Sequence, residues 1–488
     1  PLRWAPPDWA KPLSVMVSVE IEGRDVWVRP WLYVHQSSVG KSVPVILLDT
    51  FLHQNAVGDR NITDNLYGGD AAYRLKQEIV LGIGGVRALQ ALGLQISTYH
   101  LNEGHAALLP VELLRRLRRP ASRNRSGRPS YDVERIRDLC VFTTHTPVEA
   151  GHDRFPHELV SKVAGELIPP DDLKVLGGER ELNLTQLALN LSGYVNGVAR
   201  QHATTTRGMF PGYDIRSVTN GVHAETWTHP AFAALYEKHH PNWMRDPEIL
   251  LQADRLEDEA VWQAHRQAKA DLGRLVREVA SVELDPDMPT IGFARRMTAY
   301  KRPEMLFSDL ARLGRIAERL PFQVVIAGKA HPRDSHGKQS IRFIHDCIRR
   351  LDDKPRVVFL PNYALDVARV LVAGCDIWLN TPLPPMEASG TSGMKAALNG
   401  VLNLSTLDGW WVEGCLEGAT GWGISAAGAS TTTEADALYL KLSEVVLPLY
   451  YQDRQRWIWM MKQAISKIGS YFNSHRMMRR YAAEAYIR

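Results

Sequence analysis

Eight consecutive residues, Arg295-Arg296-Met297-Thr298-Ala299-Tyr300-Lys301-Arg302, gather four cations in one short run. They follow an apolar stretch, residues 291–294, that reads as a strand. Four positive charges at the carboxyl end of a strand call for an anion. Arginine offers a planar fork that matches phosphate oxygens, and lysine a mobile point charge. The alternative for this segment alone is an exposed basic start to a helix. A second run, Met386-Glu387-Ala388-Ser389-Gly390-Thr391-Ser392-Gly393-Met394-Lys395, places small residues ahead of an amphipathic stretch, the pattern of a loop entering a helix. Bare backbone N–H groups at such a terminus can cradle a phosphate, and Gly390 and Gly393 permit close backbone approach. Lys395 then falls in the first turns beside that cradle, where a buried amine can form a Schiff base with an aldehyde cofactor. Taken alone, the same residues also fit a structural glycine loop with a surface lysine.

Three weaker constellations lie upstream. His100-Leu101-Asn102-Glu103-Gly104-His105 has a histidine–glutamate–histidine spacing that fits neither zinc-helix motif, because Gly104 intervenes. Polar groups that hydrogen-bond a ligand are expected there, and no metal. Thr143-Thr144-His145-Thr146-Pro147 ends an apolar strand, where a histidine is either a ligand group or a satisfied core residue. Thr219-Asn220-Gly221 reads as a turn, or as an amide aimed into a cleft. Gly82-Ile83-Gly84-Gly85 resembles part of a dinucleotide loop, but it sits in a helical run with no strand before it and no third glycine at the right offset.

The elements that must position these residues are legible in outline. Residues 13–34 alternate apolar and polar around Gly23-Arg24-Asp25, a β-hairpin pattern, and residues 43–49 form a further apolar strand. Residues 71–98 read as helical, residues 139–143 as a buried strand, and residues 225–285 as linking helices. From 288 onward, apolar strands at 291–294, 324–327, 357–360, 375–379 and 401–404 alternate with helical stretches near 303–319, 338–350, 365–373 and 393–399. This α/β alternation implies a parallel sheet with crossover helices, whose ligands gather at the carboxyl ends of strands.

The 488 residues carry 58 Lys+Arg against 54 Asp+Glu, a net charge of +4. That excess is too small to demand a nucleic acid or an anionic membrane as partner. Seven arginines between 115 and 128 lack interleaved aromatics for stacking bases and read as a solvated loop. The 4 cysteines form no C-x-x-C pair, which argues against a disulfide scaffold or cysteine zinc site and suits a reducing, cytoplasmic setting. No apolar run approaches the ~20 residues of a membrane span.

Taken together, the run from Glu387 to Gly400 (E-A-S-G-T-S-G-M-K-A-A-L-N-G), R-R-M-T-A-Y-K-R, H-L-N-E-G-H, T-T-H-T-P and T-N-G-V-H resemble the α-glucan phosphorylases, the glycogen, starch and maltodextrin phosphorylase family, in its bacterial and archaeal form. The resemblance runs from about residue 13 to the end of the chain. It implies two Rossmann-like domains facing a cleft, glycosyltransferase-B-like, with the first domain truncated at its N-terminus. That expectation arises because no counterpart of the family's glycine-rich N-terminal loop precedes residue 13. The expected divisions are residues 1–220 for the rest of the first domain, 221–287 for a helical connection, 288–465 for the second domain and 466–488 for a C-terminal helix. The implied activity is reversible phosphorolysis of terminal α-1,4-linked glucose to α-glucose 1-phosphate with retention, with pyridoxal 5'-phosphate as cofactor. Its partners would be an α-1,4-glucan and inorganic phosphate, with homodimerisation left open.

Carried over by position, Lys395 would hold the cofactor, and Arg295 with the backbone of Gly390, Thr391 and Ser392 its phosphate. Arg296 and Lys301 would bind the substrate phosphate. Glu387, Ser389 and Gly390 would meet sugar hydroxyls, His145 and Asn220 the glucose 6-hydroxyl, and Tyr300 the 2-hydroxyl. Glu103 would line the cleft. No second carboxylate is evident beside Glu387, so the glycosidase arrangement of paired carboxylates is not expected. Thr298, Ala299 and Gly393 depart from the animal enzymes. The competing readings are a nucleotide-sugar glucan synthase of the same architecture, a pyridoxal-phosphate amino-acid enzyme, and a non-catalytic glucan-binding remnant.

Overall fold

The computed structural model describes residues 6–66, 69–118, 131–332, 334–425 and 433–487. The chain divides into two compact units, one formed by Pro1–Val198 and Ala203–Ser217, the other by Ala199–His202 and Val218–Ile487. Residues 119–128 of the arginine-rich stretch lie outside the described residues.

The first unit opens with an antiparallel sheet of β1 (Lys11–Pro12), β2 (Val17–Ile21), β3 (Arg24–Gln36) and β4 (Ser42–Asp49). The expected hairpin is present, but its turn is Glu22-Gly23, both at positive φ, and Arg24 and Asp25 already belong to β3. Val19, Ile21, Val26 and Val28 are all buried, the inward half of an alternating pattern. The helix Ala71–Ile79, capped by Asp70, continues through a wider π turn (Val80–Gly84) into Gly85–Ala91. It ends short of the expected 98. Gly82 is required there by packing, since a Cβ would lie 2.8 Å from the Leu109 nitrogen.

A parallel sheet follows. In chain order its region holds β5 (Tyr99–Asn102), β6 (Cys140–Thr143), an antiparallel ribbon of β7 (Arg154–Pro156) and β8 (Glu181–Asn183), then β9 (Tyr194–Gly197) and β10 (Ile215–Ser217). The sheet order is β10-β9-β6-β5, every pair parallel.

The second unit is built on six parallel strands: β11 (Thr290–Arg296), β12 (Gln323–Lys329), β13 (Arg356–Leu360), β14 (Ile377–Asn380), β15 (Leu402–Thr406) and β16 (Gly421–Ile424). Their order is β13-β12-β11-β14-β15-β16. The first five match the apolar runs of the sequence; β16, half glycine, gives no such signal. The strands are buried almost throughout, as a sheet covered by helices on both faces requires. The long helix Asp258–Ala280 is part of this unit and packs so closely on Leu365–Gly374 that a Cβ on Gly374 would lie 2.5 Å from the Leu272 Cβ. Asp376, fully buried just before β14, accepts hydrogen bonds from His265 Nε2 at 2.9 Å, Lys269 Nζ at 2.7 Å and the Thr290 backbone at 2.7 Å. These bonds pin the helix to the sheet. Strand succession reverses between β11 and β14, and a crevice at the carboxyl ends of such neighbours is where open α/β sheets place ligands.

Candidate functional site

The cationic run begins on that crevice. Arg295 and Arg296 are the last two residues of β11, so the strand extends two residues beyond its apolar part. Arg295 and Lys301 are buried, at 9% and 6% exposure, while Arg296 is exposed. Both buried cations converge on one carboxylate: Arg295 Nη2 donates to Glu387 Oε2 at 2.7 Å, and Lys301 Nζ donates to the same oxygen. Lys301 also lies 4.5 Å from the Tyr300 ring centre. Burial pushes the Lys301 ammonium down to about 7, Arg295 adds to the effect, and Glu387 opposes it. Burial alone would raise Glu387, but Arg295 and Lys301 outweigh it and hold its carboxyl below the usual range. Two buried cations thus share one anion. Arg295 Nε and Nη1, together with the Ser389 hydroxyl, are buried without a hydrogen-bond partner. Leaving such donors unpaired is costly, and an anionic group would satisfy them.

Arg302, the fourth cation of the run, does not join this cluster. Its guanidinium donates to the carbonyls of Thr381 at 2.8 Å and Pro382 at 2.7 Å and pairs with Glu434, so it braces the loop after β14. A second carboxylate, not evident in the sequence, does stand beside Glu387. Asp408 Oδ2 accepts from the Glu387 backbone at 2.8 Å, its Oδ1 accepts from Gly409 N at 2.8 Å, and burial pushes its carboxyl up to about 6. Its oxygens serve backbone donors, so it fixes the Glu387 loop. Gly409, at φ +54°, has room for no side chain, because a Cβ would lie 2.5 Å from the Ser389 carbonyl oxygen.

The loop then passes Gly390, at φ +82°, and Thr391 into the short helix Ser392–Ala397, which carries Lys395. The Lys395 amine lies 3.7 Å from the Trp227 ring centre, and burial alone pushes it down to about 8. Asn399 ties the helix to the Trp227 segment: its Nδ2 donates to the carbonyls of Trp227 at 2.9 Å and Lys395 at 3.1 Å, and its Oδ1 accepts from His229 N at 2.7 Å. The sequence does not mark Trp227, and Asn399 enters only as the N of K-A-A-L-N-G, four residues after Lys395. Gly393 has no room for a side chain, since a Cβ would lie 2.2 Å from Asn403 Oδ1. A half-buried, easily deprotonated amine and unpartnered buried guanidinium N–H groups fit an aldehyde cofactor bearing a phosphate.

Asn220 is half-buried in a turn that is clamped from two sides. Glu413 accepts from the Thr219 hydroxyl at 2.8 Å and from Arg200 N at 2.9 Å. Arg476 donates to the carbonyls of Thr219 at 2.6 Å and Asn220 at 3.0 Å.

In the first unit, Glu103 organises a separate cluster. It sits just past β5 at φ +69°, an uncommon backbone for a non-glycine residue. One carboxylate oxygen accepts from Gly104 N at 3.1 Å. The other accepts from His145 N at 2.6 Å and the Thr146 hydroxyl at 2.9 Å. The residue expected to line a cleft therefore directs its oxygens at its own loop and holds the turn after β6. His145 is exposed, its Nε2 2.5 Å from Asn102 Oδ1. The two histidines of the upstream motif part company. His100 Nε2 meets the Thr143 hydroxyl at 2.7 Å, whereas His105 joins Asp153 at 3.0 Å. Glu78, His105 and Asp153 bring possible ligand atoms within 4.8 Å of one another, but Arg74 already supplies the positive charge there, 3.0 Å from Asp153.

The model of the carbohydrate phosphorylase family matches residues 149–419, just over half of the chain. The chain belongs to that family. It is 38% identical to the maltodextrin phosphorylase of Thermococcus litoralis, an alignment covering 100% of this chain and 61% of that protein. It is 37% identical to the glycogen phosphorylase of Mycobacterium tuberculosis, over 97% of this chain and 60% of that one. It is 35% identical to the glycogen phosphorylase of Aquifex aeolicus, over 97% and 75%. The chain therefore spans about three fifths of the length of the first two relatives. Among the described residues, no helix is long and apolar enough to cross a membrane.

Proposed function

We propose that the protein catalyses reversible phosphorolysis of the terminal α-1,4-linked glucose of a glucan, releasing α-glucose 1-phosphate with retained configuration. The observation that carries this reading is the buried pair Arg295 and Lys301 sharing Glu387, with guanidinium N–H groups left unpartnered. Such a site is short of negative charge, and phosphate supplies it.

Pyridoxal 5'-phosphate fits the residues present, held through Lys395 with Arg295 and the backbone of Gly390, Thr391 and Ser392 toward its phosphate. When bound it supplies a phosphate group that serves as a proton reservoir. Arg296 and Lys301 bind the substrate phosphate, which protonates the glycosidic oxygen and then attacks the same face of the sugar. Two phosphate groups repel strongly unless cations surround them, and the β11 run provides those cations. Glu387, Ser389, Gly390 and Tyr300 are assigned to sugar hydroxyls, and His145 and Asn220 to the 6-hydroxyl. Glu103 and Asp408 act one step back, holding the His145 and Glu387 loops. Lys395 serves as anchor, not as an acid or base.

The test is release of glucose 1-phosphate from maltodextrin plus phosphate, with Lys395→Ala as control. Activity in the wild-type chain and its loss in the variant are expected. A wild-type chain that shows the cofactor's absorbance band yet releases no glucose 1-phosphate would overturn the reading and favour a glucan-binding role.

A further inference from the structure

We propose that an arginine-lined hollow in the first unit, distant in sequence from the β11 cations, binds a phosphate monoester. The hollow has a volume of about 390 Å³, within the range of small-molecule sites. Arg87, Arg115, Arg116 and Arg118 line it together with Glu112 and Glu166.

Its design centres on Glu112, on the helix Leu108–Arg116 and only 2% exposed. Glu112 accepts from Arg87 Nε at 2.9 Å and Arg116 Nε at 2.8 Å, and Arg115 Nη1 lies 3.6 Å away. Arg87 is fixed further by donating Nη1 to the Ser18 carbonyl at 2.7 Å. One buried carboxylate therefore orients three guanidiniums toward a common space. Arg118 completes the lining. Among the lining residues, four guanidiniums stand against two carboxylates, an excess of two positive charges, with Asp172 near Tyr131 at the edge.

A solvated basic face spreads its charges apart. Here three of them meet one buried carboxylate beside the buried side chains of Leu167 and Ile168, while the outer faces of Arg115, Arg116 and Arg118 stay open to water. A phosphate monoester carries roughly −1.5 to −2 at pH 7, which matches the excess. Guanidinium forks fit its oxygens in pairs. Tyr131 and Pro169, on the same lining, offer a surface for the organic part of the ester. A simple carboxylate would leave half the excess uncompensated.

Isothermal titration calorimetry of the chain with phenyl phosphate and methyl phosphate tests this. Both esters should bind, more weakly as salt rises. The pair Arg115→Ala with Arg118→Ala should weaken binding about tenfold or more. Binding should persist in an Arg296→Ala background, which weakens the phosphate site proposed for the second unit. Tighter binding of the phenyl ester assigns the organic part to the Tyr131 wall; equal affinities place that part outside the hollow and keep phosphate as the ligand. Arg115→Gln with Arg118→Gln repeats the test without shortening the side chains to a methyl group. The proposal fails if neither ester binds the wild-type chain, if the pocket variants bind as the wild type does, or if binding disappears in Arg296→Ala instead.

Discussion

Lys301 and Lys395 are displaced downward for related reasons, and each displacement has a measurable sign. Lys301 sits at about 7 in the folded chain against an ordinary 10.5. Between those values the unfolded chain holds more protons, so this residue makes stability rise with pH from about 7 toward 10.5. The penalty of the buried charge is fully present below 7. Urea midpoints measured across that window should climb less steeply for Lys301→Met than for the wild type. Lys395, held at about 8 by burial, would react with an aldehyde through its neutral amine. One pH unit below that value only about a tenth of the amines are neutral. The rate at which added pyridoxal 5'-phosphate develops its bound absorbance should therefore rise through pH 8 and level off above it, and be absent in Lys395→Ala. Glu387→Gln should cost about 3–5 kcal/mol of stability, because it leaves two buried cations without their anion. Thermal melts should show the deficit shrinking when phosphate is added.

At the scale of elements, the joints matter more than the strands. Asp376→Ala should cost about 3–5 kcal/mol, since His265 and Lys269 lose their shared buried partner. A urea titration followed by far-UV circular dichroism checks it. Arg476→Met should cost about 2–3 kcal/mol, for the loss of charged hydrogen bonds to three carbonyls, those of Thr219, Asn220 and Tyr471. Amide exchange at residues 219–222 should quicken accordingly. These joints were the part the sequence could not reveal. The runs 291–294, 324–327 and 401–404 announce buried parallel strands by composition alone, whereas β16, Gly421-Trp422-Gly423-Ile424, does not. Strand order is set by long-range pairing, and no local pattern encodes it. Charge runs are similarly ambiguous: R-R-M-T-A-Y-K-R reads as one cationic patch, but its residues divide between a buried carboxylate, solvent and a loop brace. Asp408 and Trp227 approach the site from 21 residues after Glu387 and 168 before Lys395, so only the folded chain brings them in.

Across the whole molecule, each unit has its own core, centred on residues such as Phe142 and Leu101 in the first and Trp378 and Leu404 in the second. Phe142→Ala should remove about 3–5 kcal/mol and raise amide exchange across β5, β6 and β9. Family membership was legible in the sequence because the run from Glu387 to Gly400 is specific and the four other motifs precede it in one order along the chain. That R-R-M-T-A-Y-K-R leaves β11 and the Glu387 loop follows β14, on either side of a switch point, emerged only from the sheet.

The sharing of Glu387 by Arg295 and Lys301 has a kinetic corollary. One carboxylate against two cations leaves the cluster short of negative charge, so an arriving anion competes with Glu387 for donors it already uses while also meeting the guanidinium N–H groups that Glu387 does not reach. Affinity is then governed by exchange, and exchange favours guests whose charge exceeds that of the single carboxylate they replace. Doubly ionised oxyanions would be admitted, while acetate or chloride would find the seat taken.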